Sequence, residues 1–130
     1  MNIYYSLSTI DHNKIYFNKP IVNKFSNYNL FYKINYNIYS FTLNSLLILL
    51  TEINEKVIDE LQQFELLVLN KLNCFIKKEL CISNFKTIYK YKSEKVYIRV
   101  SGIWESDTHI GLTTKFDVLS VNRKTVQNNL

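Results

Sequence analysis

The stretch from Lys95 to Leu119 constrains the fold of this chain more strongly than any other. It reads KVYIRVSGIWESDTHIGLTTKFDVL, with apolar and polar residues alternating on both sides of the polar segment ESDTH. Alternation with a period of two is typical of half-buried β-strands, and a polar segment between two such runs is typical of a turn. The stretch is therefore predicted to form two paired β-strands joined by a turn over residues 105–109.

A turn centred on Asp107 determines which residues of the two predicted strands lie opposite each other. The predicted pairs on the apolar face are Ile98–Phe116, Val100–Thr114 and Trp104–Ile110. The predicted pairs on the polar face are Arg99–Lys115 and Ser101–Thr113. Because alternation places Trp104 on the apolar face, we interpret it as a core residue rather than as a stacking platform. Like charges directly opposite each other destabilise a plain hairpin, so Arg99 and Lys115 make an anionic partner worth considering.

Shorter stretches upstream are also predicted to be strands, over residues 2–10, 14–17 and 28–36. Asn35 to Asn37 has turn chemistry, because Asn tolerates positive φ. Residues 38–43 are then expected to return as the second arm of a hairpin. The alternative is one long strand with a bulge at Asn37.

Apolar residues recur at spacings of mostly three and four from Ile53 to Ile76, which predicts an amphipathic helix. Thr51 is the predicted N-cap, so the apolar run 46–50 leads directly into a helix over residues 52–80. The apolar stripe is interpreted as core packing. The stripe is broadened by three leucines, Leu66, Leu67 and Leu69. The helix is therefore expected either to be covered on two sides or to pack against another subunit.

These elements predict an α+β fold of about five to six strands, with one long amphipathic helix between the strand groups. The leading architecture is a partly open barrel of the OB type with the helix inserted between its strands. The alternative is a helix lying across an open antiparallel sheet. A chain of 130 residues that is 47% apolar can form one core, so residues 1–121 are predicted to be a single domain. The polar residues 122–130 are predicted to form a flexible tail.

The net charge of +5 is unevenly distributed. Residues 1–50 carry +3 and residues 81–130 carry +4, whereas the predicted helical part, 51–80, carries −2. This distribution suits an anion-binding face from which the acidic helix is kept away. Asn, Lys, Ile, Tyr and Phe are also the residues of AT-rich codons. The alternative is therefore an ordinary basic protein whose composition reflects its genome.

The best candidate site combines cations with aromatic rings, which single-stranded nucleic acid requires for its phosphates and its bases. In this interpretation the lysines and the arginine neutralise phosphates while the tyrosines stack on bases. Phe31 extends the patch if it shares the same face. The alternative is that the tyrosines are half-buried sheet residues and the lysines only solubilise the surface. The predicted nucleic-acid-binding residues are Tyr32, Lys33, Lys90, Tyr91, Lys92, Tyr97, Arg99 and Lys115.

No motif for catalysis or for a cofactor stands out in the sequence. Two glycines are too few for a Gly-rich phosphate loop, and the cluster of Glu105, Asp107 and His109 is the usual composition of a turn. Cys74 and Cys81 would lie on one face of the predicted helix, and are interpreted as buried reduced thiols. No zinc-ligand spacing accompanies them. We therefore predict a protein that is not an enzyme and holds no metal or cofactor.

The sequence also lacks a predicted membrane segment. The longest apolar run, residues 46–50, is far short of the roughly 20 residues that span a bilayer. The N-terminus has no basic region followed by an apolar core, so no secretory signal is predicted. An intracellular protein without a membrane partner is expected.

The segment SGIWESDTHIGLTTKF, Ser101 to Phe116, resembles the C-terminal part of short, mostly uncharacterised proteins of large AT-rich DNA viruses. Those proteins combine two early hairpins, an acidic amphipathic helix and a closing strand pair of the form SGIWE…GLTYKF. The early matches are IYFNKPIVNKF over residues 15–25 and FYKINYN over residues 31–37. Some relatives are suspected to be OB-type single-stranded DNA-binding proteins, and the resemblance implies the same function here.

Two functional hypotheses follow. The first is a non-catalytic viral single-stranded DNA-binding protein that acts in genome replication or maintenance, inside the host cell at the site of viral replication. The second is a viral structural or assembly protein that uses the helix over residues 52–80 as an interaction or homo-oligomerisation face.

Overall fold

The computed structural model describes residues 3–22, 29–39 and 41–119. Within these ranges the chain is a mixed α+β fold with one large open sheet and one long helix. The strands are β1 (Tyr4–Tyr5), β2 (Ile15–Phe17), β3 (Ile21–Val22), β4 (Leu30–Ile38), β5 (Phe41–Leu43), β6 (Leu46–Leu50), β7 (Glu79–Cys81), β8 (Val96–Glu105) and β9 (His109–Val118). The helix α1 spans Glu55–Ile76, and short 3₁₀ helices span Leu7–Thr9, His12–Lys14 and Phe85–Tyr91.

The predicted α+β class is confirmed, but the sheet is larger than predicted. The described residues form nine strands rather than about five to six, because the short strands β3, β6 and β7 were not predicted. An OB-type barrel is not confirmed, and the open sheet with a helix across it is the better description. Two strand pairs, β1–β6 and β7–β9, are parallel rather than antiparallel. The predicted tail, 122–130, lies outside the described residues.

The hairpin β8–β9 is confirmed, with one correction to its register. Three predicted pairs are observed: Ile98–Phe116, Arg99–Lys115 and Val100–Thr114. Beyond them a β-bulge at Ser101 shifts the pairing by one residue, so the observed pairs are Gly102–Thr113, Ile103–Leu112, Trp104–Gly111 and Glu105–Ile110. The predicted pairs Ser101–Thr113 and Trp104–Ile110 are therefore wrong. A bulge residue has no partner, and every residue after it changes face.

The strand β8 lies at the centre of the sheet and has three long neighbours. One of its edges pairs with β9 along its whole length. Its other edge is shared, because residues 96–100 pair with β6 and residues 102–105 pair with β4. Beyond this contact β4 continues and pairs with β2 and β5. The bulge at Ser101 lies where β8 passes from one of these partners to the other.

The upstream strands differ from the prediction in two places. Of the predicted strand 2–10, the described residues 3–10 form only the two-residue strand β1, followed by a 3₁₀ turn. β4 runs without interruption to Ile38, so the predicted turn at 35–37 is wrong. The predicted hairpin is nevertheless present, because β5 returns antiparallel to β4 and pairs with residues 36–38. The alternative of one long strand with a bulge at Asn37 is wrong. The chain reverses instead at Tyr39, whose φ of 44° is left-handed.

The helix was predicted in the right region but too long. It begins after Asn54, whose side chain accepts a hydrogen bond from the backbone N–H of Val57 at 2.9 Å, so Asn54 rather than Thr51 is the N-cap. It ends at Ile76, because Lys77 adopts the left-handed conformation. Cys81 consequently lies on β7, and both cysteines are exposed rather than buried. The apolar run 46–50 is a strand of its own, β6.

One core lies between α1 and the sheet. The helix contributes Ile58, Leu61, Phe64, Val68 and Leu69, and the sheet contributes alternate residues of its strands, among them Ile34, Leu46, Ile48, Ile98 and Val100. We call this side of the sheet the inner face. The opposite side is the outer face.

Two leucines on α1 test this packing. Leu69 is fully buried, whereas Leu66 is 40% exposed. We expect Leu69→Ala to lower the free energy of unfolding by about 2–5 kcal/mol, because it leaves a cavity in the core. The matched control, Leu66→Ala, should change it by no more than about 0.5 kcal/mol. Urea denaturation followed by the fluorescence of the single tryptophan measures both, and equal losses for the two variants would contradict the assignment of faces.

Candidate nucleic-acid interface

The outer face of the sheet brings several predicted site residues together. Residues directly opposite each other in a strand pair project to the same side of the sheet, so the register assigns each side chain to a face. Arg99 lies beside Lys115, and Lys33 beside Gly102. These pairs alternate with buried inner-face residues. The outer face of β4, β8 and β9 carries Phe31, Lys33, Tyr97, Arg99, Trp104, Lys115 and Asp117.

Two aromatic rings on this face lie against glycines. Phe31 and Trp104 are cross-strand partners, and Trp104 also lies opposite Gly111. A Cβ at Gly111 would collide with the Trp104 indole, and a Cβ at Gly102 would lie 2.7 Å from the Phe31 ring and collide with the Tyr32 carbonyl. Glycine is therefore required at both positions so that the rings can approach the backbone. Both rings remain partly exposed.

Three cations, Lys33, Arg99 and Lys115, lie on the outer face beside the aromatic pair. Lys33 lies one row from Phe31, and the Arg99–Lys115 row lies beyond it on the other side of the bulge. Neighbouring rows on one face of a strand are about 7 Å apart, so these side chains reach a common surface. Lys33 and Lys115 are exposed, and Arg99 is half-buried. The outer face is therefore a basic surface with an aromatic end.

Carboxylates are few on this surface. Asp117 accepts a hydrogen bond from the Tyr97 hydroxyl at 3.4 Å and one from the backbone N–H of Val118 at 2.8 Å. Glu79, near the turn end of the hairpin, has a carboxylate oxygen 3.0 Å from His109 Nε2. By contrast α1 carries four acids against two lysines, on the other layer of the molecule. The described residues thus separate an acidic helix from a basic sheet face, as the charge distribution predicted.

Tyr97 is on the outer face, but its side chain already contacts Tyr4 and Asp117. Its ring makes an edge-to-face contact with Tyr4, with centroids 5.5 Å apart. Burial and the nearby charge of Asp117 raise the pKa of its hydroxyl. Its role as a stacking platform stays a prediction.

The other predicted residues do not join this surface. Lys90, Tyr91 and Lys92 lie on or next to the 3₁₀ helix Phe85–Tyr91, which packs on the α1 side through its buried residues Phe85 and Ile88. Tyr32 lies on the inner face, since it pairs with the fully buried Ile103. The eight predicted residues therefore do not form one site. Four of them share the outer face: Lys33, Tyr97, Arg99 and Lys115.

The structure also corrects the interpretation of Trp104. It was expected in the core, but the bulge at Ser101 places it on the outer face and turns Ile103 inward instead. The sequence contained one signal for this. Both glycines of the chain fall in this hairpin, and glycine inside a strand often marks a bulge or a close approach of another group.

Tyr32 belongs to a half-buried ionic cluster instead. Its hydroxyl donates to Glu105 Oε1 at 2.5 Å, and Lys78 Nζ lies 2.6 Å from Glu105 Oε2. Lys78 also donates to the carbonyl oxygen of Ser106 at 2.6 Å. The cluster links β4, the turn end of β8 and the segment after α1. It holds the hairpin against the helix and leaves Tyr32 unsuited to stacking on a base.

The cluster perturbs two ionisation equilibria. Burial, the hydrogen bond to Glu105 and its negative charge raise the pKa of Tyr32 to about 12. Burial alone would raise the pKa of Glu105, but hydrogen bonds from Lys78 and Tyr32 and the charge of Lys78 hold it below its usual value of 4.5. Glu105 is therefore the anion to which the other two groups are bound.

Glu105 predicts a pH dependence of stability. Because its pKa is lower in the folded chain than in the unfolded chain, it stabilises the fold above about pH 4.5, and this contribution is lost as the pH falls through the folded-state pKa. We expect Glu105→Gln to be less stable than the wild type near pH 7, and the difference to narrow in acid. Denaturant titrations at several pH values measure it.

The matched control for this experiment is Asp107→Asn. It removes an exposed carboxylate from the same turn and so accounts for the change in net charge. A stability difference between Glu105→Gln and the wild type that is constant from neutral to acidic pH would show that the ion pair does not contribute.

The remaining titratable groups of the turn are separated. Glu105 faces Lys78, whereas His109 contacts Glu79 and the hydroxyl of Thr108. In the part of the chain that the structure describes, no group of three or more His, Cys, Asp or Glu side chains is placed to hold a metal ion. Across the same residues, no helix combines the length and the apolar character needed to cross a membrane.

Comparisons with known proteins leave the site to be judged from its geometry. No protein-family model, no curated protein and no solved structure matches this chain.

Proposed function

We propose that this chain is a non-catalytic single-stranded nucleic-acid-binding protein and that the outer face is its binding surface. The observation that carries the proposal is the combination on one face of three cations, Lys33, Arg99 and Lys115, with two partly exposed rings, Phe31 and Trp104. Cations along a backbone path and flat rings for bases are the two elements that single-strand binding requires.

The arrangement favours single strands over duplexes. Each ring has the backbone of a glycine beneath it, so only its outward side is available for stacking. A base can stack on such a ring only when it is not already stacked inside a duplex. The acidic helix lies on the other layer, where it does not repel the phosphates.

The proposed setting comes from the sequence rather than from the site. The segment Ser101–Phe116 resembles proteins of large DNA viruses, and it forms the bulged half of β8 together with most of β9. We therefore place the proposed activity on viral single-stranded DNA, in genome replication or maintenance inside the host cell.

The salt dependence of binding tests the proposal. Trp104 is the single tryptophan, so its fluorescence should be quenched when an oligonucleotide stacks on it. We expect single-stranded DNA to bind with an affinity that falls steeply with salt, because each phosphate contact releases counterions. Lys33→Gln or Lys115→Gln should weaken binding and reduce the log–log salt slope by about 0.7 each.

Lys56→Gln is the matched control, since it removes the same charge from α1. It should leave affinity and slope nearly unchanged. Duplex DNA of the same sequence should bind more weakly and quench Trp104 less. The proposal fails if no binding occurs at low salt, or if Lys56→Gln has the same effect as Lys115→Gln.

A second function is supported by exposed apolar side chains on α1. Leu66 is 40% exposed, Leu67 49% and Phe75 83%, so the stripe that broadens the helix is not fully covered within one chain. This favours the alternative that α1 is an interaction or homo-oligomerisation face of a structural or assembly protein.

Light scattering separates the two functions. If α1 is an oligomerisation face, the wild type should be larger than a monomer, and Leu66→Gln with Leu67→Gln should convert it to a monomer without loss of fold. Glu55→Gln, at the exposed start of the same helix, is a control for surface substitution. A wild type that is monomeric at high concentration would exclude self-association through α1.

A further inference from the structure

A small cavity opens on the outer face beside Arg99. It has a volume of about 230 Å³ and lies where the connection from β5 to β6 passes Arg99. Its polar lining comes from Thr42, Asn44, Ser45 and Arg99, and Leu47 is an apolar part of the wall. Leu47 is 5% exposed and pairs with Arg99 across β6 and β8. The guanidinium group thus lies at the wall of a cavity with a polar rim.

Arg99 has few partners for its donors. Within the described ranges it makes one hydrogen bond, from Nη1 to Ser45 Oγ at 3.3 Å, and no carboxylate forms an ion pair with it. A guanidinium carries five N–H donors in a planar fork. Most of the hydrogen-bonding capacity of this side chain is therefore free to meet a ligand.

The charges around Arg99 also favour an anion. Its direct cross-strand neighbour is Lys115, and two like charges opposite each other repel. The nearest acid by register is Asp117, one row away, which already accepts from the Tyr97 hydroxyl and from the backbone of Val118. Because Arg99 is half-buried, its field is less screened by water than that of an exposed side chain.

The shape and chemistry of the cavity suit a phosphate group. Arginine binds phosphate through two parallel N–H donors, and the Ser45 hydroxyl and the Asn44 amide at the rim add further donors. Pockets that enclose a drug-sized ligand have volumes of about 300–1,000 Å³. This cavity is smaller, so it suits a single phosphate with the rest of the ligand outside.

We infer that the cavity beside Arg99 is a binding site for one phosphate group. The inference deepens the proposed function, because a phosphate of a bound strand would be anchored here, two rows from Phe31 and Trp104. Lys33 and Lys115 then act as exposed point charges along the strand. Arg99 instead fixes its register by holding one phosphate in a defined geometry.

The first arm of the test uses inorganic phosphate alone. Titrations followed by ³¹P NMR and by thermal unfolding are compared with chloride at equal ionic strength. We expect phosphate, but not chloride, to bind and stabilise the wild type. Arg99→Gln should weaken phosphate binding at least about tenfold, as expected for loss of a charged hydrogen-bonding group. Arg99→Lys should also weaken it, because lysine keeps the charge but lacks the fork.

Two further variants are controls for net charge and for folding. Lys56→Gln removes one positive charge from α1 and does not line the cavity, so it should leave phosphate binding nearly unchanged. Ser45→Ala keeps Arg99 and should weaken phosphate binding by less than Arg99→Gln does. This variant tests the inference even if Arg99→Gln does not fold. Equal losses for Arg99→Gln and Lys56→Gln, or equal stabilisation by chloride and phosphate, would overturn the inference.

The second arm uses single-stranded oligonucleotides with and without a 5′-phosphate and distinguishes the two proposals. Phosphate binding that depends on Arg99, together with no binding of either oligonucleotide, would retain the cavity and refute the nucleic-acid function. Oligonucleotide binding that Arg99→Gln and Arg99→Lys weaken no more than Lys115→Gln does would retain the function and refute the cavity. If the 5′-phosphorylated strand binds more tightly, the site prefers a terminal phosphate. If the two strands bind equally, an internal phosphate is sufficient for binding.

Discussion

The arrangement of the sheet depends on one extra residue in its central strand. Ser101 has no partner on β9, and the residues on either side of it therefore follow opposite alternation. Before the bulge the even-numbered residues Ile98 and Val100 face the helix, and after it the odd-numbered Ile103 and Glu105 do. Without this shift Trp104 would project into the core and Glu105 towards solvent. The bulge thus determines both the composition of the core and the composition of the outer face.

The same shift links the inner and outer faces physically. Glu105 turns inward and becomes the acceptor for Lys78 and Tyr32, which ties the end of the hairpin to the segment after α1. Trp104 turns outward and lies on Gly111, next to Phe31. An ion pair that is partly buried is stabilised by well-placed hydrogen bonds, and the Lys78–Glu105 pair has them from Tyr32 and to the Ser106 carbonyl. The aromatic end of the outer face is therefore held by the cluster beneath it.

Sequence reasoning located the long periodic elements and missed the features that depend on single residues. The hairpin and the helix were predictable because many residues of each share the same period. The position of the turn then predicted the cross-strand pairs Ile98–Phe116 and Arg99–Lys115. The bulge was not predicted, because the two glycines of the hairpin were its one signal and they do not say at which residue the alternation shifts. Residues 46–50 were not identified as a strand, because a short apolar run has no period to read. Of the proposed site, Lys33, Arg99 and Lys115 followed from alternation, and alternation also places Tyr32 on the opposite face from Lys33. The Lys90–Lys92 segment has no such pattern, because tertiary packing decides where its 3₁₀ helix lies.

The shared edge of β8 has a consequence for the order in which the chain becomes structured. Among the described strands, β6 pairs only with the two-residue β1 and with β8, whose residues follow β6 in the chain only after the whole of α1. During synthesis from the N-terminus, the apolar segment Leu46–Leu50 emerges long before the strand that covers its edge. Such a segment is open to wrong pairing until its partner arrives. The later strand β8 then pairs along one edge with both β6 and β4, so a segment made after α1 joins two strands that were made before it.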